Sequence, residues 1–465
     1  MRHARRRPRT RALAAPAVAA LAAVLAAALP ACGGGGDAPS ATPEAEASFA
    51  VLQARVLTSQ CVSCHSSAAP QGGLALDGAS AHAQLVDAQP THPTARADGL
   101  RRVVPGDTAR SLLWHKLVWA PGHHARDYGL PMPLGTPAGL TQGELAFVRR
   151  WIEAGAPRDG RVADVALLDD RRPQRIPTFE PLPRPAQGIQ LRVDSFGVRP
   201  NFERELFVLR PLNNASDVFV NRFEFRMRPG SHHLLLYDFD NARSQLCTPS
   251  IRALAGVLPG QVRDIRNPDG SMNMLAMAPM ACHVFVAGSM TQTYDWRFPE
   301  GVALRLPANT ALDFNLHYVN KTGAELPGEA YANLHTVDRS QVRFVARPLN
   351  LGNEDLVLPP RRRTTVTKEF PVRDSAMTIV ALTSHMHALG ERFVIRIKGG
   401  PRDGQVVYEN TDWEHPAMTT FTPALVLRRG EALVSTVTFN NTRDRTVRFG
   451  LTSDDEMAII FGYWY

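Results

Sequence analysis

Residues 311–319, ALDFNLHYV, alternate apolar and polar side chains, a period of two that suits a half-buried β-strand and not a helix. The same period returns in FEFRM at 223–227, VALRL at 302–306, FVIRI at 393–397 and ALVSTVTF at 432–439, and helical patterns are scarce around them. The chain beyond residue 188 is therefore expected to form antiparallel strands, enough for two β-sandwiches. At 465 residues the whole chain exceeds what one core serves, and two or three domains are expected.

Upstream the pattern changes. Residues 48–60 (SFAVLQARVLTSQ) and 141–154 (TQGELAFVRRWIEA) place apolar residues at helical spacing, the second run starting at a Thr N-cap. Between them, residues 61–65 read C-V-S-C-H. In C-x-x-C-H the two thiols add to haem vinyl groups and the adjacent histidine is set on the iron. A zinc half-site would need a second ligand pair nearby, and a thioredoxin-like dithiol a βαβ context; neither is present in the sequence. Cys61, Cys64 and His65 are thus expected to hold haem c, with Met132 of GLPMPLG as sixth ligand and His123 and His124 as its competitors. This part resembles the c-type cytochromes with a loop Met-Pro ligand, which implies a small all-α domain over 49–165.

Six arginines, Arg2, Arg5, Arg6, Arg7, Arg9 and Arg11, precede an apolar run at 12–29 that has the length of a signal-peptide core. Residues 29–32, LPAC, resemble a bacterial lipobox, implying cleavage before Cys32 and a lipid on its thiol; cleavage after the small residues is the alternative. Either way the protein is expected to be exported, as a membrane-anchored lipoprotein on the periplasmic or outer-membrane side. The segment 1–32 is then signal peptide and lipobox, and 33–48, small and polar, a flexible tether. Removing those six charges from the net +8 leaves +2. With no basic cluster elsewhere, no nucleic-acid partner is expected. Of the five cysteines, Cys247 and Cys282 remain after the lipobox and haem assignments, and export permits a disulfide between them. A Pro- and Arg-rich stretch at 166–188 reads as a semi-rigid linker.

Five histidines and a methionine complete the reading. His232 and His233 lie in GSHHLLLY, His317 in NLHYVN, His385 and His387 in TSHMHALG, and Met457 in TSDDEMAIIFGYWY. Residues i and i+2 of a strand share a face, so His385 and His387 can reach one metal while Met386 points away. Adjacent His232 and His233 would point to opposite faces, and binding one ion through both requires a bulge, a strand end or different ring nitrogens. Imidazole suits copper or zinc, and an added thioether selects Cu(I).

The order His-His, His, His-x-His, Met resembles the copper type II ascorbate-dependent monooxygenases, the family of peptidylglycine α-hydroxylating and dopamine β-monooxygenases. The resemblance covers roughly 190–465 and implies two jelly-roll-like domains, 189–340 and 341–465, each with one copper. His232, His233 and His317 would bind the first, electron-storing copper. His385, His387 and Met457 would bind the second, where O2 attacks a substrate C–H bond, and are the expected catalytic residues. The implied partners are a small organic substrate, O2 and an electron donor, either an ascorbate-like reductant or a redox protein, with the attached haem as a possible entry point for electrons. The peptide-amidating member's carboxylate anchors correspond to Thr383, Ile459 and Phe461, none of them charged. Glycine-extended peptides are therefore not the expected substrate, and a more apolar one is. The alternative is a non-catalytic protein that carries electrons or holds copper.

Overall fold

The computed structural model describes residues 47–119, 128–129, 131–134, 139–174, 179–320, 323–373, 376–413, 416–450 and 454–465. Cys32 and its signal-like segment, residues 33–46 of the tether, and His123 and His124 lie outside the described residues. Strands dominate, at 43 % of the chain, and helices are few.

Ten strands build the first β unit: β1 (Gly188–Val198), β2 (Phe202–Pro211), β3 (Val218–Met227), β4 (Ser231–Phe239), β5 (Val262–Asp264), β6 (His283–Ser289), β7 (Thr293–Arg297), β8 (Val302–Leu306), β9 (Ala311–Asn320) and β10 (Leu326–Val337). Strands β5-β2-β9-β4-β6 form a five-stranded sheet in that order. Its inner face presents Leu206, Val208, Leu234, Leu236, Phe314 and Leu316 to Phe223, Phe225 and Leu334 of the facing sheet, in one buried core. Because side chains alternate along a strand, Glu205, His233, Asn315 and His317 are left together on the outer face.

The second unit adds β11 (Phe344–Gly352), β12 (Arg362–Pro371), β13 (Met377–His385), β14 (Gly390–Lys398), β15 (Val406–Asn410), β16 (Thr419–Leu427), β17 (Ala432–Asn441) and β18 (Ile459–Trp464). The four-stranded layer β12-β17-β14-β15 covers β16-β13-β18-β11 around Phe393, Val437, Phe439 and Ile460. In β17 buried positions recur at every second residue, whereas central β13 is buried almost throughout.

The two units are not the separate sandwiches expected. Strand β11 runs parallel to β8, pairing Val302 with Phe344 and Leu304 with Ala346. One nine-stranded sheet, β16-β13-β18-β11-β8-β3-β10-β1 with β7 attached at β3, consequently spans both. Val380, Ala381 and Tyr463 of the second unit are part of the first unit's core. The Tyr463 hydroxyl donates to Val286 O at 2.6 Å, and its ring stacks on Trp296 at 5.1 Å.

The all-α cytochrome domain expected over 49–165 is not seen. Helix Gln142–Glu153 starts at a capping box, Thr141 Oγ1 accepting from Glu144 N and Glu144 Oε2 from Thr141 N. The run 48–60 is helical but broken by a π segment at Gln53–Leu57, and the helices between 61 and 141 have six residues or fewer. Elsewhere the region uses a two-stranded ladder, His65–Ser66 with Ala69–Pro70, and isolated bridges such as Val86 with Val103. Gly72 and Gly73 follow that ladder at φ +60° and +62°, a left-handed pair that no right-handed helix accommodates. The region still has its own core around Leu52, Val56, Phe147 and Trp151.

The linker is docked at both ends. Gln174 donates to Leu117 O and accepts from Trp119 N, both at 3.0 Å, while Asn333 donates to Pro183 O at 2.8 Å. Cys247 and Cys282 form a disulfide. No helix among the described residues is long and apolar enough to cross a membrane.

Candidate metal centre

Strand β9 pairs with β4 in register from Asp313 opposite Tyr237 to His317 opposite His233, but Tyr318 then lies opposite Ser231. His232 is the extra residue of this bulge, and the local twist turns its ring toward those of its neighbours. The His232 ring centre lies 5.0 Å from that of His317, and the His233 ring centre 5.1 Å from it. One ligand nitrogen from each of His232, His233 and His317 falls within 4.8 Å of the others. The bulge thus supplies what adjacent histidines on a regular strand could not.

The hydrogen bonds behind these rings decide which nitrogen faces inward. His233 Nε2 donates to Asn315 Oδ1 at 2.7 Å, and Asn315 Nδ2 donates onward to Glu205 Oε1 at 2.9 Å. Glu203 Oε1 lies 2.7 Å from His317 Nε2, close enough for charge attraction but without hydrogen-bond geometry. Nδ1 is the nitrogen left to His233 and His317, and His232 Nδ1 approaches His233 Nδ1 to 3.4 Å. Burial alone would pull the His317 pKa down; the contact with Glu203 and the charges of Glu205 and Glu203 outweigh it and raise it. Burial pushes the Glu205 carboxyl up, but bonding to His233 and the His317 and His233 charges bring it down to about 2. Two carboxylates thus back a trio of imidazoles, a donor set that fits a divalent cation.

The second group forms where β13 meets β18. His385 ends β13 opposite Ile459, and His387 lies beyond the strand in the turn leading to β14. The H-x-H pair is thus not strand-borne as expected, although Met386 does point away, buried in the second unit's core. The His385 and His387 rings are 5.1 Å apart. His387 Nδ1 donates to Asp455 O at 3.1 Å, leaving Nε2 as its ligand atom.

Glu456, fully buried, accepts from the backbone N–H of His387 (2.9 Å), Leu389 (2.7 Å) and Met457 (3.3 Å). One carboxylate therefore ties Met457 to the histidine turn. Burial, then the neighbouring His387 and His233, push the His385 pKa down to about 3, so its imidazole stays neutral and able to ligate. The dependence on His233 also places the two groups within electrostatic reach of each other. Thr383, Ile459 and Phe461 stand on the strand pair beside His385, with the Phe461 ring 6.0 Å from that of His385 and 4.9 Å from Phe285.

In the N-terminal region Cys61 and Cys64 are free thiols, and Cys61, Val62 and Met132 pack against the same core. His65 Nδ1 donates to Gln71 O at 2.8 Å, which leaves Nε2 for an iron. Burial, then Cys64 and Glu144, push the Cys61 thiol up to about 12, the opposite of what a redox dithiol or a zinc thiolate needs. Two thiols and an oriented imidazole fit the covalent attachment of haem.

Residues 349–465 match the family model of the copper type II ascorbate-dependent monooxygenase, C-terminal domain. The matched monooxygenase domain contains His385, His387 and Met457, and the match supports the copper monooxygenase family and an oxidoreductase. The His232, His233 and His317 trio lies outside it. No curated protein matches the chain. Among solved structures the chain is similar to the major capsid protein P2 of bacteriophage PM2, with 9 % identity, 57 % of this chain and 97 % of that chain covered, and a TM-score of 0.21. It is likewise similar to PBCV-1 VP54, at 8 % identity, 62 % and 96 % coverage and a TM-score of 0.19. Neither likeness carries an argument about function.

Sequence reasoning missed Glu203, Glu205, Asn315 and Glu456. The alternation of Glu203 and Glu205 in FERELF, and of Asn315 and His317 in FNLHYV, was the signal available for three of them.

Proposed function

We propose that the protein is a copper-dependent monooxygenase that hydroxylates a C–H bond of a fairly apolar organic substrate. The observation that carries this reading is the convergence of His232, His233 and His317, outside the matched domain, on a face within electrostatic reach of His385. His232, His233 and His317 would hold one copper through Nδ1, and His385, His387 and Met457 the other, with copper supplying one-electron storage at the first and O2 activation at the second.

The chain's own residues orient and exclude. Asn315 and Asp455 fix imidazole tautomers. Glu203 and Glu205 offset cationic charge, and Ile459 and Phe461 give the second centre an apolar wall that offers a carboxylate no partner. Haem c on Cys61 and Cys64, with His65 and Met132 as axial ligands, would supply one-electron chemistry in addition to an ascorbate-type reductant. Export and a lipid on Cys32 belong to the same proposal.

Copper and haem content, together with O2 uptake on apolar substrates with ascorbate, test it. Two coppers per chain and substrate-dependent uptake that Met457→Ala abolishes are the expected outcome. Copper retained without uptake in either protein overturns the hydroxylase reading in favour of a protein that holds copper or carries electrons.

A further inference from the structure

Beside the five-stranded sheet, at the β5 edge, lies a half-open cavity of about 700 Å³ lined by Arg199, Arg204, Arg263 and Arg266 and walled by Leu254 and Leu275. That size suits a small organic ligand. Four guanidiniums converge here on two carboxylates. Arg204 is paired with Asp264 through Nε at 2.6 Å and Nη2 at 3.0 Å, and Arg263 Nη2 reaches Asp313 Oδ2 at 2.6 Å.

The charge left over sits on Arg199 and Arg266. Arg199 donates to Pro268 O at 3.2 Å, and Arg266 to Gly270 O at 3.5 Å and Met272 Sδ at 3.4 Å. Among the described residues neither has a carboxylate within ion-pair distance, although Arg266 acts on Glu203 at longer range. Arg263, only 5 % exposed, keeps Nε and Nη1 buried with no hydrogen-bond partner, a costly state for a guanidinium and an independent sign that the cavity wall lacks an acceptor. Leu254 and Leu275, at 82 % and 62 % exposure, are apolar surface that an occupant would cover.

We propose that this cavity binds a small organic anion, its carboxylate or enolate on Arg199 and Arg266 and its apolar part against Leu254 and Leu275. Planar anionic groups are what a guanidinium fork matches best. Two sources share this chemistry, an apolar carboxylate and an anionic reductant such as ascorbate. Arg266 is also felt electrostatically at His317, so the occupant would lie beside the histidine trio. The site itself needs no metal and stands whether or not the copper reading holds.

Calorimetric titration of octanoate, ascorbate and inorganic phosphate into metal-free full-length protein tests it. Submillimolar binding of octanoate or ascorbate is expected, weakened at least tenfold in Arg199→Gln/Arg266→Gln with an unchanged circular dichroism spectrum. Leu275→Glu, at an exposed position where folding is not at stake, should weaken the same ligand at least tenfold. Preference for octanoate identifies an apolar carboxylate, and preference for ascorbate a reductant; either supports the site. No submillimolar binding of either organic anion, binding indifferent to the substitutions, or phosphate bound as tightly as both overturns it.

Discussion

Glu456 joins stretches of chain 69 residues apart, since the carboxylate beside Met457 also receives the N–H groups of His387 and Leu389. At about 1 kcal/mol for each hydrogen bond, and more for a buried donor left unmade, Glu456→Ala should lower stability by about 3 kcal/mol. It should also loosen the second copper relative to the first. Urea denaturation of metal-free protein and copper titration check this, and unchanged second-site affinity would show that Glu456 does not position the ligands. The ligands themselves were legible because imidazole and thioether announce their chemistry by residue type and order. Glu456 was not, because its partners are backbone N–H groups that every residue carries. Glu203 and Glu205 were equally silent, since alternating glutamates on a strand ordinarily face water.

At the level of elements, strand periodicity was plain in residues 311–319, which became β9 with Leu316 inward and His317 outward. The bulge at His232 was legible only as a requirement, since nothing in SHH distinguishes a bulged strand from a regular one until its partner's register is known. Helical spacing at 48–60 misled for a related reason. Local pattern marks a helix without showing that the Gly- and Pro-rich stretch after it will turn and bridge instead of making more helices. Strand β18 carries a prediction of its own. Tyr463 fills the junction between the β units with its ring and bonds across it to Val286 O, so Tyr463→Ala should cost about 3–5 kcal/mol. It should also divide a single calorimetric transition into two. One undivided transition at the original temperature would mean that the junction contributes little.

For the molecule as a whole, buried neutral imidazole couples folding to acidity. His283, 7 % exposed, has its pKa lowered by burial in spite of its hydrogen bond to Asp313. The unfolded chain takes up a proton near the ordinary value of 6.5 while the folded chain does not. The sign is therefore fixed: stability is present above that value and is lost as pH falls below it toward the folded pKa. In urea titrations between pH 6.5 and 5, His283→Gln should show a loss with falling pH that is shallower than wild type by about 1 kcal/mol per pH unit. An equal slope in both proteins would mean that His283 is protonated in the fold.

The parallel seam between β8 and β11 has a mechanical meaning. Backbone hydrogen bonds running unbroken from one flank of the molecule to the other resist shear, so the two β units form a girder and not a clamshell. The gap between the histidine trio and the histidine–methionine group is then set once, when the chain folds, and stays the same length through every turnover. An electron crossing it meets a barrier of constant width, and timing is left to the arrival of small molecules at either end.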